Sequence, residues 1–130
     1  MSAGDVIFAC ATASGKAGVA VIRVSGVAAG DLFPVLTGQS PPAARRASLR
    51  RLINPSDSAM LDQALTLWFP APHSFTGENT VELHVHGGTA VITGVMDALA
   101  GMSGFRPAEP GEFTRRAFRN GKLDLAEAEG

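Results

Sequence analysis

Glu82, His84 and His86 stand two residues apart from one another in a segment that otherwise reads Val81, Leu83 and Val85. In extended backbone, side chains alternate between faces, so this spacing puts a carboxylate and two imidazoles on one face and three aliphatics on the other. Such a polar face can offer three ligands to zinc or iron. It can equally form the wall of a pocket for an organic ligand, or face solvent with its polar groups satisfied. Arg23 poses a related question, because it interrupts the apolar run Val19 to Ser25. An unpaired charge within an apolar strand is costly or neutralises, so Arg23 and Glu82 each need a partner. They can pair with each other. Alternatively, a ligand can present N–H donors to the carboxylate and carbonyl or carboxylate oxygens to the guanidinium fork. A pterin ring carries that pattern.

Lys122 follows Asn120-Gly121, a helix stop signal, where the helix dipole by itself favours a cation. Two basic clusters, Arg45, Arg46, Arg50 and Arg51, then Arg115, Arg116 and Arg119, read as solvated faces or as contacts to RNA phosphates. Cys10, the one cysteine, can make neither an internal disulfide nor a cysteine metal cage, and reads as a small apolar strand residue in a protein of a reducing compartment. A phosphate-binding loop needs a glycine five residues before its Gly-Lys pair and a Ser or Thr after it. Before Gly15-Lys16 and Gly121-Lys122 stand Cys10 and Arg116, and after them Ala17 and Leu123, so neither qualifies. A Gly-x-Ser-x-Gly nucleophile elbow is absent as well.

These side chains must be positioned by short elements. Val6 to Ala11 and Val19 to Ser25 read as neighbouring strands joined by a turn at residues 14–18, the second apolar on both faces as in a covered central strand. A short helix is expected over 27–36, compromised by Gly30 and Pro34. Residues 47–53 and 63–69 flank Asn54-Pro55-Ser56-Asp57 as an antiparallel pair. After a loop with Pro70, Pro72, Ser74 and Gly77 comes the strand 80–86, which Gly87-Gly88 releases into a helix carrying Val91, Val95 and Leu99. Pro107 and Pro110 bracket a connection to a helix over 112–119, capped by Asn120 and Gly121. Asp124 and Glu127 begin another helix of barely one turn, which leads us to expect a fragment of a longer protein. The pattern predicts an α/β (α+β) domain, a mixed sheet of about five strands with about three helices.

The 130 residues are 45% hydrophobic and 18% charged, enough to bury a core and too apolar for a disordered chain. The length suits one domain. A net charge of −1 gives no overall attraction to nucleic acid, so any RNA contact must be local. No apolar run reaches the ~20 residues that span a bilayer, and the N-terminus lacks a signal-peptide pattern; no membrane association and a cytoplasmic location are expected.

Four segments occur in order: Ala-Gly-Val-Ala-Val-Ile-Arg-Val-Ser-Gly (17–26), Ser-Phe-Thr-Gly-Glu-Asn (74–79), His-Gly-Gly (86–88), and Pro-Gly-Glu-Phe-Thr-Arg-Arg-Ala-Phe-Arg-Asn-Gly-Lys-Leu-Asp-Leu-Ala-Glu-Ala-Glu (110–129). With Asp62-Gln63 and Leu67-Trp68-Phe69-Pro70, they make the chain resemble the N-terminal domain of the MnmE/TrmE tRNA modification GTPases over nearly its whole length. It departs from that pattern at Ala13-Ser14 and Ala17, where a proline pair and a glycine are usual, and residues 37–58 carry no motif. The resemblance implies a folate-binding, T-protein-like domain over 1–120 that forms a homodimer, with 121–130 starting the linker to a helical domain. It also implies a 5-formyl- or 5,10-methylene-tetrahydrofolate ligand, contacted by residues at the positions of Arg23, Glu82 and Lys122, and no catalytic residue or metal in this domain. In the whole protein it implies GTP, magnesium and potassium in a GTPase domain absent from this chain. The same likeness implies an FAD-dependent MnmG-type partner, and tRNA whose wobble uridine is modified. Two alternatives stay open: a purely structural dimerisation module, and a metal-dependent hydrolase built on Glu82, His84 and His86.

Overall fold

The computed structural model describes residues 5–11 and 18–122. Its strands are β1 (Val6–Cys10), β2 (Val19–Ser25), β3 (Ser48–Ile53), β4 (Met60–Phe69), β5 (Thr80–His86) and β6 (Phe105–Pro107), and its helices α1 (Leu32–Thr37), α2 (Thr89–Ala100) and α3 (Glu112–Arg119). They form one mixed sheet in the order β3-β4-β5-β2-β1-β6, with β1 and β6 parallel and the other neighbours antiparallel. Among the described residues the expected fold class and helix count hold, and the sheet has six strands where about five were expected. The additional β6 is too short to show alternation, and Pro107, read as a loop marker, is tolerated because β6 is an edge strand.

Alternation sorts the sheet into two unlike faces. Phe8, Ala20, Ile22, Val24, Val81, Leu83 and Val85 pack with Leu32, Phe33 and Leu36 of α1 and Val95 and Leu99 of α2 into one core. α1 is shorter than expected, because Ala29–Asp31 forms a 3₁₀ turn where Gly30 passes so close to Trp68 that a Cβ would lie 2.9 Å from its ring. Pro34 is accommodated in the first turn of α1, where backbone N–H groups lack helical partners anyway. The other face corrects an expectation. Among the described residues the second face of β2 is covered at its Ser25 end only, leaving Val19 49% exposed and Val21 half-buried.

On that second face the register aligns Leu49, Leu65, His84 and Val21 in one row, and Leu67, Glu82, Arg23 and Ala9 in the next. A third row, Phe69, Thr80, Ser25 and Ile7, lies toward the loop between β4 and β5, and Ile7, Ser25 and Thr80 are buried there. The sheet is thus open near His84 and closed near Ser25, and Glu82 and Arg23 sit at the border.

Candidate functional site

Arg23 and Glu82 face each other across β2 and β5, and Arg23 Nη2 donates to Glu82 Oε2 at 3.2 Å. Of the readings open for these two charges, mutual pairing is therefore realised. It does not exhaust either group. The Arg23 guanidinium lies over the Phe75 ring at 5.3 Å, while its Nε is buried and finds no hydrogen-bond acceptor among the described residues. Glu82 Oε1 meets His84 Nε2 at 3.1 Å, and the carboxylate borders a cavity of about 440 Å³. That cavity is also lined by Phe69 and Phe75, by Thr80, and by the cations Arg45 and Lys122.

The loop that closes the cavity is fixed residue by residue. Ser74 Oγ donates to the Glu78 carbonyl, Ser25 Oγ lies 2.7 Å from Thr76 Oγ1, and Ser25 Oγ donates to Glu78 Oε1 at 2.9 Å. Gly77 has φ of +82°, and a Cβ there would come within 2.8 Å of Asn120 Cβ, so this position needs glycine on two counts. Asn79 donates to the Val27 carbonyl at 2.8 Å and accepts from the Ala71 N–H at 2.8 Å. From the other side, Asn120 Nδ2 donates to the Thr76 carbonyl at 2.8 Å. The Ser-Phe-Thr-Gly-Glu-Asn segment is thus a brace whose outward residue is Phe75, 43% exposed beside Arg23.

α3 ends as its sequence predicts. Gly121 adopts φ of +74°, its N–H donates to the Phe118 carbonyl, and the Lys122 N–H donates to the Ala117 carbonyl, a Schellman termination. This sharp stop carries the Lys122 side chain toward the loop, where Nζ donates to the Pro72 carbonyl at 3.1 Å. Lys122 therefore lines the same cavity as Glu82; Arg23 reaches it through Glu82 and Phe75.

The second basic cluster is not a solvated face throughout. Arg116 is 3% exposed, and its guanidinium meets Asp5 at 2.8 Å, Glu78 at 3.0 Å and Glu112 at 3.4 Å. Arg106 completes the group by donating to Asp5 and Glu112. Its hydrogen bond holds the Glu112 carboxyl down at about 2, against the opposing effect of burial. Burial would raise Asp5, but hydrogen bonds and charge from Arg106 and Arg116 outweigh it and lower the carboxyl. The earlier basic cluster is also dispersed: Arg50 lies over Phe33 at 5.8 Å and Arg51 pairs in register with Gln63 on the opposite face.

His86 does not join Glu82 and His84. It lines a hollow with His84, Leu49 and Leu65, but its Nδ1 contacts Asp62 Oδ1 and its backbone N–H donates to Asp62 Oδ2, both at 2.8 Å, so a carboxylate on the neighbouring strand engages the imidazole. Among the described residues no three metal-ligating side chains converge, which removes the geometric basis of the hydrolase alternative. Phe69, Phe75 and Arg45 were missed as site residues. Phe75 had a signal in the segment 74–79; Arg45 lay where no motif was visible. The turn at residues 14–18 lies outside the described residues except for Gly18, as does the helix start at 124–127. Among the described residues, no helix is long and apolar enough to cross a membrane.

Comparison with known proteins supplies a second line. The family described as GTP-binding protein TrmE N-terminus matches residues 6–122. The chain is 57% identical over 128 residues to the mitochondrial 5-taurinomethyluridine tRNA synthase subunit GTPB3 of Homo sapiens, covering 98% of this chain and 26% of that protein. It is 60% identical over 126 residues to the tRNA modification GTPase MnmE of Phenylobacterium zucineum, covering 97% of this chain and 28% of that protein. The chain thus spans about a quarter of the length of these relatives.

Proposed function

Because the chain belongs to the family of TrmE N-terminal domains, we propose that it is the reduced-folate-binding and homodimerising part of a GTPase that modifies the wobble uridine of tRNA. The observation that carries the folate reading is Glu82, held between Arg23 and His84 at the wall of a cavity with two aromatic rings and two cations. A carboxylate can accept the adjacent amino and ring N–H donors of a reduced pterin, and flat aromatic walls suit the ring. The buried, unsatisfied Nε of Arg23 is a donor still seeking an acceptor, which a carbonyl or carboxylate of the ligand could supply. At about 440 Å³ the cavity is within the ~300–1,000 Å³ usual for small-molecule sites. The residues present therefore fit the group. Glu82 would hold the ring, Arg23 and Lys122 its oxygen atoms, and the bound 5-formyl- or 5,10-methylene-tetrahydrofolate would supply a one-carbon unit.

For the dimer, support comes from the open sheet face, where Val19, Leu49 and Leu65 are 49%, 58% and 44% exposed. We assign folate binding and dimerisation to residues 1–120 and the beginning of a linker to 121–130. GTP with magnesium and potassium, the FAD-dependent MnmG-type partner and tRNA belong, on this reading, to the whole protein. A cytoplasmic location suits the bacterial relative, whereas the human one is named a mitochondrial protein.

A structural dimerisation module is the second reading, and the direct Arg23–Glu82 pair favours it, since that pair needs no ligand. Calorimetric titration of 5-formyltetrahydrofolate into wild type and Glu82→Ala separates the two. Loss of a charge-assisted contact should weaken binding by roughly thirty-fold or more, about 2–5 kcal/mol. A wild type that binds no reduced folate leaves the structural module as the better account, and tight binding by a folded Glu82→Ala protein removes Glu82 from the site.

A further inference from the structure

We propose that Arg45, which lines the Glu82 cavity together with Lys122, forms an anion subsite there that takes a carboxylate from the tail of the ligand. The inference deepens the folate reading and rests on it. Its first ground is charge. Arg45 and Lys122 both line the cavity, and the one carboxylate in its wall, Glu82, is already engaged by Arg23 and His84. Lys122 Nζ donates to a neutral carbonyl, that of Pro72. The Arg45 guanidinium, like those of Arg46, Arg51 and Arg119, has no hydrogen bond or ion pair among the described residues, but of these four only Arg45 lines the cavity. Two cations sharing a partly enclosed hollow repel each other, and an entering carboxylate relieves that repulsion while accepting a two-pronged contact from the guanidinium.

The second ground is the backbone. Arg45 adopts φ of +59°, a left-handed conformation that disfavours side chains other than glycine and asparagine. Its N–H is nevertheless tied to the Trp68 carbonyl at 2.8 Å, next to Phe69 in the cavity wall. The fixed turn holds the Arg45 backbone at the cavity wall. A reduced folate matches this polarity, since its pterin is uncharged and its glutamyl tail carries carboxylates.

The test compares 5-formyltetrahydrofolate with its α,γ-diamide, which keeps the ring and tail but removes the tail charge. Wild type should bind the free acid about tenfold more tightly than the diamide. Arg45→Asn, which tolerates the left-handed turn, should bind both at the wild-type diamide level, and Arg45→Lys should recover part of the difference. A thermal melt confirms that the variants are folded; should Arg45→Asn not be, Arg45→Gly replaces it. Equal binding of acid and diamide by wild type, or an unchanged ratio in Arg45→Asn, overturns the subsite and leaves the folate reading standing. Wild type that binds neither compound overturns the folate reading and the subsite with it.

Discussion

Glu82 receives contacts from two sides, Arg23 at 3.2 Å and His84 at 3.1 Å, and both partners are about a quarter exposed. A pair so placed adds little to stability, ~1 kcal/mol or less, because water screens it. Glu82→Gln should therefore leave the melting temperature nearly unchanged while weakening folate binding by about tenfold or more. A large drop in melting temperature with unaltered affinity would assign Glu82 a structural role. Glu112 behaves differently. Its carboxyl is held at about 2 by the hydrogen bond from Arg106, below its ordinary value of 4.5. A depressed carboxylate contributes stability that is complete above the unfolded value and lost as pH falls from about 4.5 toward about 2. Denaturant unfolding should show that decline, and Glu112→Gln should flatten it; identical pH profiles would refute the assignment. Arg23 and Glu82 were legible in the sequence because a charge inside an apolar strand is a local anomaly. Arg45 and Phe75 were not, because they sit on loops whose direction is set by partners far along the chain, such as Trp68 and Asn120.

Among the elements, α3 and the loop between β4 and β5 act as one latch. Arg116 joins Asp5, Glu78 and Glu112, and Asn120 holds the Thr76 carbonyl. Arg116→Ala would leave three carboxylates facing one another with one fewer cation, a loss of ~3–5 kcal/mol by analogy with broken buried pairs. Chemical denaturation measures it, and a loss below ~1 kcal/mol would show the network to be dispensable. The latch was hidden in the sequence for a physical reason. An arginine on a highly polar helix looks solvated until another segment supplies the carboxylates that allow it to be buried. Elements defined by local chemistry fared better: the α3 termination follows from Asn120-Gly121, and β5 from its alternation. β6 escaped because three edge residues carry no period, and the covering of β2 was overestimated because Val19 and Val21 are apolar whether or not a layer lies above them.

At the scale of the molecule, α1 and α2 layer one side of the sheet, while the other side is closed near Ser25 and open toward His84. Leu49, Leu65, His84 and Val21 form a continuous row across four strands, with Val19 on the same face next along β2. Single exposed aliphatics are ordinary on protein surfaces, but Val19, Leu49 and Leu65 exposed on one sheet face suit the dimer contact proposed above. A twofold dimer uses the same patch on both copies, so a charge introduced once appears twice at the contact and is removed from water on both sides. Leu65→Glu is the sharpest probe, since Leu65 is 44% exposed and lies mid-row between Leu49 and His84. A glutamate there costs the isolated chain little, because surface substitutions usually stay within about 0.5 kcal/mol. Sedimentation equilibrium should find wild type dimeric at tens of micromolar and Leu65→Glu monomeric, with nearly equal melting temperatures at low concentration. Wild type sedimenting as a monomer would count against the dimer, and a dimer that survives Leu65→Glu would move the interface off this face.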